Sequence, residues 1–163
     1  MNEHFQESLN IGELGEGMTW QYLSNQPNIK QVIDVRNDKR YFQNEDVDFL
    51  VITNQNDVYK VEVKSDQLMY KTSNIFYELT TSGNIGCFEK TKADVIYYYD
   101  VVQRILYQLD IKKLKKYISE RKIRFNFKNQ GGDNATGYTI KVDDLINADI
   151  LKKIKQIKLE EEK

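Results

Sequence analysis

The sequence predicts an α/β or α+β fold, in which a helix precedes a central sheet and further helix and strand follow. Three observations predict it. Apolar residues recur at helical spacing through 5–25, two alternating runs flank a turn at 54–57, and more alternating runs follow as far as 142.

In order along the chain, Phe5, Leu9, Leu14, Met18 and Tyr22 or Leu23 form one apolar stripe. Gly12, Gly15 and Gly17 weaken that helix and predict a break near 10–12, and Pro27 with Asn28 ends it. KQVIDVR (30–36) reads as a short strand. After the polar NDKRYFQNE, DVDFLVIT (46–53) reads as a strand apolar on both faces, NQND (54–57) as a turn and VYKVEVKS (58–65) as the returning strand of a hairpin. SNIFYELTT (73–81) alternates like another strand and is followed by the loop TSGNIG. ADVIYYYDVV (93–102) and RILYQLD (104–110) read as two more strands or one bent strand. IKKLKKYISERK (111–122) predicts a helix with Ile111, Leu114 and Ile118 on one face and Asp110 as its N-cap. RFNFKN (124–129) and TGYTIKV (136–142) are strands around a GGDN turn. A last helix is predicted from Asp143 to about Lys158, with Ile150, Leu151, Ile154 and Ile157 inward.

Composition narrows the class. At 163 residues, 40% hydrophobic and 30% charged, the chain fits one globular domain, 1–163, with a single core. A lone Cys87 forms no intrachain disulfide and predicts a reducing, cytoplasmic setting. No stretch reaches the roughly 18–20 apolar residues of a membrane span, and MNEHFQESLN lacks the apolar region of a signal peptide. The expectation is a protein neither secreted nor embedded in a membrane. One Cys and one His4 near the terminus nearly exclude His- or Cys–His-based nucleophilic catalysis. The glycines at 12, 15 and 17 do not follow a strand, so a nucleotide phosphate loop is not expected.

The net charge of −1 conceals an asymmetry. Residues 1–100 carry nine Lys/Arg against sixteen Asp/Glu, and residues 101–163 carry fifteen against nine. An acidic half beside a basic half suits a metal centre flanked by a phosphate-binding surface. Lys112, Lys113, Lys116, Arg121, Lys122 and Arg124 are the candidate phosphate contacts; a solvated helix face is the plainer alternative.

Chemistry concentrates in the hairpin. Alternation places Glu62 and Lys64 on one face of the returning strand, with Val61 and Val63 on the other. Pairing about the 54–57 turn brings Asp48 across from the Glu62–Lys64 end. Three charged groups then meet at one end of an apolar hairpin, where desolvating each costs several kcal/mol. Two carboxylates a metal's width apart bind a hard cation such as Mg²⁺, and the Val63 backbone carbonyl could add a third oxygen. Such an ion would activate water and neutralise charge on a phosphodiester, with Lys64 orienting or deprotonating the attacking water. The plainer alternative is an ion pair on a half-solvated sheet with Asp48 at its edge.

These residues resemble the PD-(D/E)XK nuclease superfamily: a helix bearing Glu, then Asp on one strand and Glu-x-Lys on the next. The matching segments are IGELGEGMTWQYL (11–23), DVDFL (46–50) and VEVKS (61–65), with Val47 where the name-giving Pro would stand. The resemblance implies a restriction-endonuclease-like fold, a mixed central sheet flanked by an N-terminal helix and C-terminal helices. It makes Asp48, Glu62 and Lys64 the catalytic set with Glu16 as helix acid, Glu13 being the competitor. Asp48, Glu62, Val63 and Glu16 would hold Mg²⁺, with Mn²⁺ as a substitute, and Gln67 would contact metal-bound water or phosphate. Residues 71–99, with Ser73 or Thr72, Asn74, Glu78, Gly86, Thr91, Ala93 and Asp94, and TGYTIKVDDL (136–145) resemble small phage or prophage nucleases. The implied function is metal-dependent hydrolysis of DNA, and two-strand cutters are often homodimers.

Asn74 and Glu78 either reach DNA or serve as a turn cap and a Lys partner, and Tyr97, Tyr98 and Tyr99 either stack on bases or fill the core. The rival functions are an inactive nucleic-acid binder of the same fold and a protein-interaction or inhibitor module.

Overall fold

The computed structural model describes residues 3–120, 125–130 and 133–154. Its centre is a six-stranded mixed sheet in the order β1-β2-β3-β6-β7-β10. The strands are β1 (Ile29–Asp34), β2 (Phe49–Thr53), β3 (Val58–Asp66), β6 (Val95–Asp100), β7 (Ile105–Leu109) and β10 (Leu151–Lys153). A second, four-stranded sheet runs β5-β4-β9-β8, with β4 (Asn74–Thr81), β5 (Asn84–Ile85), β8 (Phe125–Gln130) and β9 (Asp133–Lys141). The helices are α1 (Glu3–Ser24), α2 (Phe42–Glu45), α3 (Met69–Thr72), α4 (Cys87–Lys90), α5 (Ile111–Glu120) and α6 (Val142–Asn147). No helix among the described residues is long and apolar enough to cross a membrane.

Period-two alternation sorts the side chains of the central sheet into two cores. Val61, Val63, Tyr97 and Tyr99 turn to one face and are buried with Met18 and Leu23 of α1. Ile96, Tyr98, Tyr107 and Leu109 turn to the other, where Ile75 and Tyr77 of β4, Leu114 of α5 and Leu145 of α6 cover them. Each such Leu or Ile contributes about 1.5–3 kcal/mol on burial. The three consecutive tyrosines thus fill both cores, Tyr98 facing opposite to its neighbours.

The predicted hairpin forms, with Phe49 opposite Val61 and Ile52 opposite Val58. The segment 93–110 is two antiparallel strands, and β6 runs parallel to β3 with Lys64 beside Tyr98. Asp110 caps α5 as expected, its carboxylate accepting the Lys113 N–H at 3.0 Å.

Two expectations are corrected. No break interrupts α1 near residue 10. Its glycine at 15 serves a close approach instead: a Cβ there would stand 2.0 Å from Ser65 Oγ and 3.3 Å from Ser65 Cβ, so a larger residue would force Ser65 aside where the helix touches the end of β3. The helix expected from Asp143 to about Lys158 stops at Asn147, and β10 follows. Asp149 takes the left-handed conformation (φ 55°), which a helix cannot continue through. Ile150, Leu151 and Ile154 are buried as expected, but from the loop and strand beside β7. Ile157 lies outside the described residues.

Candidate active site

The site grows from the place where β2 ends short of β3. Asp48 precedes β2, and its backbone is held on both sides, its N–H donating to Val61 (2.9 Å) and its carbonyl accepting from Val35 (3.0 Å). The ladder between β2 and β3 begins at Phe49. Beyond it, the Val63 N–H has the Asp48 carboxylate as its partner, donating to Oδ2 at 2.8 Å. Asp48 and Glu62 are both 3% exposed, so two carboxylates lie buried along the same stretch of β3.

Lys64 shares the face of Glu62 and forms an ion pair with its Oε1. A second carboxylate stands against the same ammonium, Asp46 Oδ2 at 3.6 Å, and Asp46 Oδ1 lies 3.8 Å from Lys90 of α4. Asp46 reaches this position by ending α2 in the left-handed conformation, φ 54°. Glu16, on the α1 turn next to the Gly15 contact, is held by Arg36, which also clamps Asp34 and lies 5.5 Å above the Phe49 ring. Glu13 is exposed, whereas the Glu16 carboxylate is mostly shielded and close enough for its charge to act on Asp48.

Electrostatics follow from that burial. Desolvation pushes the Asp48 carboxyl up to about 6, opposed by the Val63 N–H and reinforced by the Glu16 charge. Desolvation likewise raises Glu62 to about 8, the Lys64 charge opposing it and the Asp48 and Asp46 charges adding to it. Burial works against the Lys64 charge, but the Glu62 and Asp46 carboxylates outweigh it, so the ammonium holds its proton more tightly than a free lysine. Buried acids with raised affinity for protons beside a permanently charged lysine are typical of functional sites.

A cleft of about 540 Å³ opens beside Lys64, where the end of β3 faces α1, β4 and α4. Val63, Gln67, Glu78 and Cys87 are on its wall. Asn74 is not; it begins β4, and its N–H donates to Thr72 Oγ1 at 3.3 Å. Nor do the α5 lysines reach this cleft. Lys113 is tied to Asp149 Oδ2 at 2.6 Å beside a separate hollow of about 200 Å³, Lys116 faces Glu120 at 3.7 Å, and Lys112 is exposed. Arg121, Lys122 and Arg124 lie outside the described residues.

The structure therefore brings together Asp48, Glu62, Lys64 and the Val63 backbone, with Glu16 close by and Gln67 along the cleft. Sequence reasoning missed Asp46, Arg36 and Lys90. Asp46 stood two residues before Asp48 in the same charged entry to an apolar strand, which was the available signal. Among the described residues no three acidic, His or Cys side chains converge on one metal position. The acids that would complete such a set, Glu16 and Asp46, face arginine and lysine instead. Asp48 and Glu62 are two buried oxygen donors, and Mg²⁺ keeps several waters and commonly takes only one or two carboxylates plus substrate oxygens.

The fold and site thus define a mixed α+β protein with buried acids and a charged lysine at the open end of a central hairpin. The chain matches no protein-family model and no curated protein. Among solved structures it is similar to a bacterial homing endonuclease, I-Ssp6803I, with 15% identity and a TM-score of 0.46 over 63% of this chain and 68% of that one.

Proposed function

We propose that the protein is a Mg²⁺-dependent DNA nuclease of the PD-(D/E)XK type. The observation that carries this reading is the convergence of two 3%-exposed carboxylates, Asp48 and Glu62, beside Lys64. Two such acids in an apolar hairpin cost several kcal/mol to keep charged, a cost that a bound divalent cation offsets.

Asp48, Glu62 and the Val63 carbonyl would hold the ion, which when bound supplies Lewis-acid activation of a phosphodiester and of water. Lys64, kept charged by Glu62 and Asp46, does not act as the base. It donates to the attacking water or to a non-bridging phosphate oxygen, and so stabilises the charge that builds as the water oxygen bonds to phosphorus and the P–O bond to the departing sugar breaks. The water's proton passes to solvent, and the departing sugar oxygen takes one from solvent. Arg36 holds Glu16 where its charge acts on the Asp48 carboxylate, and from there Glu16 would assist a bound ion through water.

The test is incubation with linear, nicked, branched and single-stranded DNA in Mg²⁺ and in EDTA. Cleavage of at least one substrate in Mg²⁺, abolished by EDTA, is the expected outcome; cleavage of none overturns the reading. Glu16 and Asp46 pairing with cationic side chains favours a second reading, an inactive nucleic-acid binder of the same fold. That protein would bind DNA with a marked salt dependence and cut none of these substrates.

A further inference from the structure

The cleft beside Lys64 is lined for something other than a phosphate. Alternation along β4 buries Ile75 and Tyr77 and leaves Phe76 and Glu78 on the cleft wall. Phe76, Ile11, Leu68 and Phe88 give the cleft apolar surface. Its charged residues are Lys64 and two acids, Asp66 and Glu78, so negative charge prevails. A channel for the phosphate backbone is lined by cations and N–H donors, and such acids repel it. At about 540 Å³ the cleft is in the range of pockets for small, flat organic groups.

The polar groups differ in what they can still bond. Asp66 is committed, accepting from the Leu68 and Met69 N–H groups and from the Tyr98 hydroxyl at 2.9 Å. Glu78 accepts the Cys87 N–H at 3.2 Å, and a carboxylate with about four lone-pair sites can still accept from an amine. Gln67 is exposed at the rim and offers both an amide donor and an acceptor.

We infer that this cleft takes a nucleobase of the strand being cut, its face on Phe76 and its polar edge on Glu78 and Gln67. The inference rests on the nuclease reading, and it names the substrate class: DNA with an unpaired nucleotide next to the scissile phosphate. A base stacked and paired within a duplex cannot enter a lateral cleft without leaving its stack. Lys64 belongs to both cleft and catalytic cluster, which sets the base beside the phosphate that is cut.

The experiment offers the wild-type protein, in Mg²⁺, a labelled single strand, its duplex, and single strands carrying one abasic nucleotide at successive positions around the cut. The single strand is expected to be cut at least about tenfold faster than the duplex, and one abasic position to cost about tenfold, the size of one lost base stack. Phe76→Ala should show the same loss on the intact strand and become indifferent to the abasic position. Gln67→Ala, an exposed change, gives a smaller loss at that position even if Phe76→Ala does not fold. Equal rates on single strand and duplex, with abasic strands cut normally, overturn the inference. If no DNA is cut, the nuclease reading fails separately, and a 2-aminopurine-labelled single strand in EDTA decides the cleft. Fluorescence quenching that Gln67→Ala or Phe76→Ala weakens supports it, and no quenching overturns it.

Discussion

Asp48→Ala is expected to lower Mg²⁺-dependent cleavage by about 10³-fold or more, while DNA binding measured in Ca²⁺ persists. Removing one of two carboxylates forfeits several kcal/mol of Lewis-acid stabilisation, and each 1.4 kcal/mol is about tenfold in rate. Ala also leaves the buried Val63 N–H without its 2.8 Å acceptor, a loss of about 1–3 kcal/mol in stability. Asp48→Asn separates the two effects. Its amide oxygen can still accept from Val63, so the fold is kept, but without the negative charge cleavage falls as far as in Asp48→Ala. A variant that folds, binds and still cuts at the wild-type rate excludes Asp48 from the chemistry.

Lys64→Met should lower both rate and stability. Loss of one donor at a transition-state oxyanion typically costs about 10²–10³ in kcat. The substitution also leaves Glu62 without the cation that opposes its raised proton affinity. Breaking a buried pair costs about 3–5 kcal/mol, and partial exposure of Lys64 puts this case at or below the lower end. The sign with pH follows from Glu62. Its folded-state affinity for a proton is already raised, to about 8, and rises further without Lys64. The folded variant therefore binds a proton that the unfolded chain gives up above the ordinary carboxylate range, and its stability falls as pH rises. The Tm deficit of Lys64→Met should therefore change little up to about pH 7 and grow above about pH 8, where the wild type ionises Glu62 and the variant still holds its proton. Lys64→Arg should recover most of the stability but not the rate, because a planar guanidinium does not place its donors where an ammonium does. A deficit that stays flat or shrinks above about pH 8 would show that Lys64 does not neutralise Glu62.

The hairpin and its acids were legible in the sequence because everything needed is local. A strand alternates with period two, a four-residue turn sets the partner, and Asp48, Glu62 and Lys64 fall within one supersecondary unit. What was not legible depends on distance or on backbone sign. Arg36 meets Glu16 across twenty residues, and Asp46 turns toward Lys64 only through its left-handed φ. The spacing of Ile150, Leu151 and Ile154 suits a helical stripe as well as a strand edge, and Asp149 decides between them. That β4, β8 and β9 form a sheet of their own, apart from the central one, is a matter of pairing, which alternation does not specify.

Thermal denaturation with and without Mg²⁺ shows whether Asp48 and Glu62 together bind a divalent cation. Metal ligands must lose their protons to bind. With Asp48 raised to about 6 and Glu62 to about 8, both acids are largely protonated near pH 5, whereas near pH 8 Asp48 is ionised and Glu62 is in mid-titration. Mg²⁺ should therefore raise the Tm of the wild type, more near pH 8 than near pH 5, and should leave the Tm of Asp48→Asn unmoved. A Tm indifferent to Mg²⁺ at both pH values, or an equal rise in Asp48→Asn, would mean that these two acids do not hold the ion.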